Sequence, residues 1–314
     1  MSSSAFMDRT ALGRQLSPFL ALSRTPHGIV DMATPALAAL LCLGHFPSLA
    51  VVAVGLITVF AGYTAVYALN DLVDLPTDME KVRRGGYSDG DSYIDGVLTR
   101  HPMAKGVINF SGGLAWAAAW GLVAMAGAYW LNPICFYLFL TGSILEIIYC
   151  KLLQVTPLRT VFNGIVKTIG SLAAVFAVQP DPSVLFLVLL FSWIFFWEIG
   201  GQNIPNDWTD LEEDRQFGAQ TIPLRLGTHR AGLVSLTALV AALFLQVGLF
   251  WISPIRFNAL ILLTAVVVNF FLLLKPALTL ASLRKREAAM ELFNRASYYP
   301  LATLGLVLLA MLVG

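Results

Sequence analysis

The sequence predicts an all-α, polytopic membrane fold with about nine transmembrane helices. Three observations predict it. Hydrophobic residues make up 57% of the 314-residue chain and charged residues only 12%, whereas an ordinary soluble domain carries about 25% charge. Too few charges remain to coat a soluble protein of this length. Apolar runs of helix-spanning length recur along the chain, and they are continuous rather than alternating, which argues against a β-barrel. Basic residues fall on alternate loops, as membrane topology demands. The same composition excludes a disordered chain, a collagen-like repeat and a disulfide scaffold. Cys42, Cys135 and Cys150 lie in apolar stretches without paired or metal-ligand spacing, so they read as packed thiols.

The elements follow in order. Residues 1–27 form an N-terminal tail without the form of a signal peptide. Within it, Ala11–Leu22 reads as a short interfacial helix or as disordered chain. Spans of about 20 mostly apolar residues are expected near 28–46, 48–69, 106–130, 133–150, 159–179, 183–204, 230–252, 256–275 and 296–313. They make one transmembrane domain, 28–313, with halves about 28–150 and 159–275 and a last helix at 296–313.

Charge sets the expected orientation. Of 20 Lys and Arg residues, 18 lie in the N-terminal tail or in loops after even-numbered spans. Arg256 lies on the other side and Lys167 inside the fifth span. The N-terminus and long loops are therefore expected in the cytoplasm, with the C-terminus opposite, in a membrane such as the bacterial inner membrane. The far-side loops are too short for a receptor or adhesin. The basic residues follow topology and form no separate domain, so nucleic-acid binding has no support.

Acidic residues cluster more tightly. Seven of 19 fall between Asp71 and Asp95, and five more between Asp207 and Asp214. Both clusters read N-D-x-x-D-x-x-x-D: Asn70, Asp71, Asp74 and Asp78 in the first, and Asn206, Asp207, Asp210 and Asp214 in the second. Steps of three and four place three carboxylates on one helix face. Pro76 is a candidate break, after which Asp78 would approach from a turn. The motifs start 136 residues apart, at corresponding ends of spans two and six, which suggests a duplication. Like charges so arranged need a cation between them. Hard oxygen ligands suit Mg²⁺, which is commonly held by carboxylates together with substrate phosphates. Neither motif contains a His or Cys, which argues against soft metals.

Basic side chains stand where a diphosphate would need them. Arg83 follows Asp78 by five positions, beside Lys81 and Arg84, and Tyr149 and Lys151 end span four. Arg83 and Lys151 read as phosphate ligands, with Lys81 a candidate further donor, although Lys81 and Arg84 taken alone read as topology signals. Inside the spans, Glu146, Glu198, Asp31 and Lys167 are ionisable residues at depth, each a functional candidate or a buried structural group. Lys167 would pair with Glu146 or Glu198.

At these residues the sequence resembles the UbiA superfamily of intramembrane prenyltransferases. Asn70, Asp71, Asp74, Asp78 and Arg83 meet its first motif. Asp207, Asp210, Asp214, Gly218, Thr221 and Gly227 meet its second, and Tyr149, Lys151 and Asn163 meet further family positions. The chain departs at Gly85–Thr99, a Gly-, Ser- and Asp-rich segment before Arg100-His101-Pro102 that reads as a solvated insertion or as a cap.

The resemblance implies transfer of a polyprenyl group from its diphosphate to a small acceptor. It makes Asp71, Asp74, Asp78, Asp207, Asp210 and Asp214 the Mg²⁺ ligands. Asn70, Arg83, Tyr149, Lys151 and Asn206 become diphosphate contacts. Asp71, Asp74, Asp207, Asp210 and Lys151 become the catalytic set. Glu198, Asn203 and Asn163 are acceptor or cavity candidates, with Gln202 nearby. Tyr63, Tyr67, Trp193, Phe196 and Trp197 could stabilise an allylic cation or simply pack. An aromatic quinone precursor is the favoured acceptor, with a glycerol- or sugar-phosphate as the alternative. From another class, a divalent-cation transporter would also use acidic clusters, but near the bilayer midplane.

Overall fold

The computed structural model describes residues 16–85 and 98–313. Most of Gly85–Thr99 and most of the N-terminal tail lie outside the described residues, although residues 16–22 are helical. No strand occurs among the described residues.

Nine helices among them are long and apolar enough to cross a membrane: α1 (Thr25–Leu43), α2 (Leu49–Arg83), α3 (Phe110–Leu131), α4 (Pro133–Lys151), α5 (Arg159–Val178), α6 (Val184–Thr209), α7 (Ile222–Ile252), α8 (Ala259–Leu283) and α9 (Arg286–Val313). The chain is an integral, multi-pass membrane protein. Large apolar side chains such as Leu56, Ile57, Phe244, Leu263 and Trp251 face outward. A soluble surface would not tolerate so many, whereas lipid does. Side-chain caps begin several helices at one end. Ser48 Oγ accepts from Val51 N, Asn109 Oδ1 from Gly112 N, Asn132 Oδ1 from Ile134 N and Asn258 Oδ1 from Ile261 N.

Successive helices pack side by side from α2 to α9, and α9 returns to α1, which also lies against α5. α1 meets α2 mainly through its first segment, Thr25–Asp31. Beyond that segment the two helices part, and the space between them belongs to the cavity described below. The larger core is built from α6 to α9 together with α1, around Trp197, Leu239, Leu292 and Tyr299.

Four details depart from the expected elements. α2 does not break at Pro76 but continues to Arg83, so the whole first motif is helical. The second motif is broken instead: Asp207 lies within one helical piece (Ile204–Thr209), Asp210 is the non-helical hinge, and Asp214 lies on the short helix Leu211–Gln216. Its three carboxylates therefore do not share one regular helix face. α7 starts earlier than residue 230 but kinks at Gly227, whose φ of 77° suits glycine. Finally, α6 and α8 each contain a π-helical segment, Glu198–Asn203 and Phe270–Leu274. Each is followed within two residues by a proline, Pro205 or Pro276. Proline has no N–H for the i−4 carbonyl, which loosens the preceding turn into the wider register.

The π segment of α6 is held tightly against α7. A Cβ at Gly200 would stand 2.7 Å from the Ser235 carbonyl oxygen and 3.0 Å from Ala238 Cβ. Gly200→Val is therefore expected to lower stability by about 1–3 kcal/mol, read as a drop in melting temperature in detergent. Gly305→Ala, where the added carbon meets nothing within 4 Å, should leave it unchanged.

Candidate active site

All six aspartates of the two motifs line one cavity of about 490 Å³. Asp71, Asp78, Asp207 and Asp214 are buried, and Asp74 and Asp210 half-buried. α2 supplies the first three carboxylates on a continuous helix. The end of α6 and the short helix after it supply the others.

Basic side chains from separate segments meet these carboxylates. Arg24, just before α1, stands 3.5 Å from Asp71. Lys81, at the end of α2, is 2.8 Å from Asp214. Arg100 is 3.6 Å from Asp210. His101 Nδ1 is 2.9 Å from Asp78 and 3.4 Å from Asp71. Arg159, the first residue of α5, is 3.5 Å from Asp207, and its guanidinium lies 4.1 Å from the centre of the Tyr149 ring. Burial pushes the Asp214 carboxyl above the usual range, and Lys81 only partly opposes it.

His101 corrects the expectation that no His accompanies the acids. Ligand atoms of Asp71, Asp78 and His101 lie within 4.8 Å of one another. Burial pushes the imidazolium down, but Asp78 and Asp71 outweigh it and hold its pKa at about 9. At neutral pH and without a metal it is the positive partner of both carboxylates. The remaining donor set is carboxylate oxygen, and Asp207 Oδ2 is buried with no hydrogen-bond partner among the described residues. That set fits a hard divalent ion.

A stability test follows. A folded pKa above the ordinary value of about 6.5 contributes fully below that value and is lost as pH rises through about 9. In EDTA, melting temperature should fall between about pH 6.5 and 9, and His101→Gln should flatten the fall.

Other expected contacts divide. Asn70 donates to Glu146 Oε1 at 2.7 Å and accepts from Arg24 at 3.3 Å. Tyr149 is buried and its hydroxyl accepts from Asn203 at 3.3 Å. Asn70, Tyr149, Asn163, Glu198, Asn203 and Asn206 all line the cavity. Arg83 and Lys151 do not. Arg83 is 71% exposed and pairs with Glu80, and Lys151 is exposed. The basic side chains beside the carboxylates are instead Lys81, read from the sequence as a candidate further donor, and four to which the sequence pattern assigned no role at the site: Arg24, Arg100, His101 and Arg159.

Below the carboxylates lies a buried polar layer. Lys167 donates to Asp31 at 2.5 Å and stands 3.8 Å from Glu198. Of the two expected partners it thus takes Glu198, with Asp31 in place of Glu146. Tyr67 also donates to Asp31, at 2.5 Å. Tyr63 and Tyr67 line the cavity, whereas Trp193 and Trp197 hydrogen-bond to α9 and Phe196 packs into the core. The cavity then turns apolar and runs between α1, α2, α4 and α5 to Pro47, Val51 and Val178 at the opposite helix ends.

A sequence profile described as the UbiA prenyltransferase family matches residues 32–299. The chain belongs to the UbiA prenyltransferase family. Among curated relatives, a digeranylgeranylglyceryl phosphate synthase of Methanoregula boonei is 26% identical over 137 residues, covering 43% of this chain and 48% of the relative. The match thus spans about half of that relative's length. A 4-hydroxybenzoate octaprenyltransferase of Shewanella sediminis is 26% identical over 238 residues, covering 74% of this chain and 78% of the relative. Among solved structures, a UbiA homologue from Archaeoglobus fulgidus bound to DMAPP and Mg²⁺ superposes with a TM-score of 0.67 at 16% identity, over 95% of this chain and 100% of that one. At that identity the likeness speaks to the fold.

Proposed function

We propose that this UbiA-family chain moves a polyprenyl group from its diphosphate to an aromatic quinone precursor, with residues 28–313 acting as one domain. The observation that carries the reading is one continuous cavity, with six aspartates and five basic side chains at one end and an apolar channel beyond them. The polar end suits a diphosphate and the channel its hydrocarbon tail.

Asp71, Asp74, Asp78, Asp207, Asp210 and Asp214 would hold Mg²⁺, as the DMAPP- and Mg²⁺-bound relative supports. The ion supplies Lewis-acid neutralisation of the leaving diphosphate. The chain's own residues do the rest. Arg24, Lys81, Arg100, His101 and Arg159 offer donors to diphosphate oxygens. Tyr63 and Tyr67 present aromatic faces to the reacting carbon. The buried channel walls keep water from an allylic cation.

The aromatic acceptor is supported by the 4-hydroxybenzoate octaprenyltransferase, whose match covers three quarters of both chains. A glycerol-phosphate acceptor is the second reading, supported by the glyceryl phosphate synthase over the shorter stretch. Distribution of 18 of 20 basic residues to the acid-bearing side supports a cytoplasmic active site and N-terminus, in a bacterial inner membrane. The carboxylates sit at helix ends rather than mid-helix, which weighs against the ion-transporter reading.

The test is a panel assay in lipid. Geranyl, farnesyl and longer diphosphates are offered with 4-hydroxybenzoate, naphthoate and glycerol-phosphate acceptors, in Mg²⁺ or EDTA. Mg²⁺-dependent diphosphate release with a prenylated aromatic is expected. A prenylated glycerol ether alone would move the assignment to the second acceptor class, and no release with any pair would overturn the reading.

A further inference from the structure

We infer that Glu198 Oε2 and Asn203 Oδ1 form the seat for the acceptor's hydroxyl group, and that Glu198 takes its proton. The inference rests on the prenyltransferase reading and adds the acceptor's place and chemistry. Both atoms are buried with no hydrogen-bond partner among the described residues. Both side chains line the cavity, and they are 5% and 3% exposed. They lie at the two ends of the π segment Glu198–Asn203, whose i to i+5 register brings such positions to one wall.

The other half of each side chain is fixed. Asn163 donates to Glu198 Oε1 at 2.8 Å, and Asn203 donates its amide N–H to the Tyr149 hydroxyl at 3.3 Å. What each presents to the cavity is therefore an acceptor oxygen, so the ligand must bring the donor. Lys167 Nζ stands 3.8 Å from Glu198 Oε2, outside hydrogen-bond reach, while it donates to Asp31 at 2.5 Å. It faces Glu198 with a positive charge and leaves the hydrogen-bonding positions of Oε2 open. A buried acceptor left unmet is costly, which is why the pair reads as a ligand seat rather than a packing detail.

The depth is right for transfer. Asn203 precedes Asp207 by four residues, one helical turn or about 6 Å. A diphosphate at the aspartates would set its first prenyl carbon beside this pair. The C–O bond to the diphosphate breaks and its electron pair leaves with the diphosphate. With an alcohol the new bond forms from its oxygen and the hydroxyl proton passes to Glu198 Oε2. With a phenol the bond forms from a ring carbon ortho to the hydroxyl, the hydroxyl proton passes to Glu198 Oε2, and the resulting dienone regains its aromatic ring as the proton on that carbon is lost and the oxygen is reprotonated. The acceptor is thus a hydroxyl compound, either a phenol or an alcohol.

The experiment uses the full chain in lipid with farnesyl diphosphate and Mg²⁺. 4-Hydroxybenzoate is the phenol probe, a glycerol-phosphate monoether the alcohol probe, and 4-methoxybenzoate the analogue without the donor. Glu198→Gln is expected to lower product formation about 100-fold or more with farnesyl diphosphate affinity unchanged. Asn203→Leu, which tests the seat independently of whether the first variant folds, is expected to raise the KM for whichever hydroxyl probe reacts. 4-Methoxybenzoate should compete poorly against wild type. Unchanged transfer in both variants, or parallel loss of farnesyl diphosphate affinity, overturns the seat while leaving the prenyltransferase reading standing. No diphosphate release by wild type overturns both.

Discussion

Replacing Asp207 with Asn is expected to cut prenyl transfer by about 1,000-fold, the scale at which removal of one preorganised electrostatic group is felt. The protein should still fold. The substitution keeps the side-chain volume and an acceptor oxygen but removes the charge. Asp207 is buried, with Oδ1 3.5 Å from Arg159 and Oδ2 without a hydrogen-bond partner among the described residues. A structural carboxylate would use both oxygens, whereas this one, on a side chain that lines the cavity, leaves one without a hydrogen-bond partner among the described residues. Asp71→Asn should behave alike, since Asp71 faces Arg24 and His101 across the same space. The measurements are product formation in Mg²⁺ and melting temperature in detergent. Wild-type rates in either folded variant would remove the metal clamp from the mechanism.

Lys81→Met is expected to act on both stability and turnover. Lys81 and Asp214 are a buried pair, 6% and 3% exposed, with 2.8 Å between them. Removing one member of such a pair strands the other charge and costs about 3–5 kcal/mol. Replacing both with apolar residues removes that penalty. Lys81→Met combined with Asp214→Leu should therefore regain most of the melting temperature and none of the activity. If the double variant regained both, the pair would be structural alone. Arg83→Ala and Lys151→Ala, both outside the cavity, should stay within a few-fold of wild-type rates.

The contrast between Lys81 and Arg83 shows how far the sequence could be read. The spans were legible, because apolar runs of about 20 residues have few other uses. The motifs were legible because their spacing repeats. The expected break at Pro76 hid the choice of phosphate ligand. With α2 continuous through Pro76, Lys81 lies three residues beyond Asp78 on the same face, whereas Arg83, five beyond, is turned about 140° away. Lys151 fails for the same reason, two residues past the inward-facing Tyr149. Arg24, Arg100, His101 and Arg159 were harder to find. They come from a helix end and from connecting segments, where periodicity carries no signal and positive charge already had an explanation in topology. Arg100-His101-Pro102 marked the end of the Gly85–Thr99 segment, and nothing in the pattern tied it to Asp78 and Asp210. Asp210 as a hinge had no marker in the motif pattern.

The wide turn before the second motif marks the one place in α6 where chain length can change without turning the site. Each residue of a regular helix turns the chain by about 100°, and the i to i+5 register of Glu198–Asn203 carries about one residue more per turn than that. Removing a single residue there would let α6 relax to the ordinary pitch with Asp207 still facing the carboxylates of α2. The same deletion in the regular stretch Val184–Trp197 would turn Asp207 by about 100°. An in-frame codon deletion is accordingly expected to be better tolerated inside the π segment than in the helix before it.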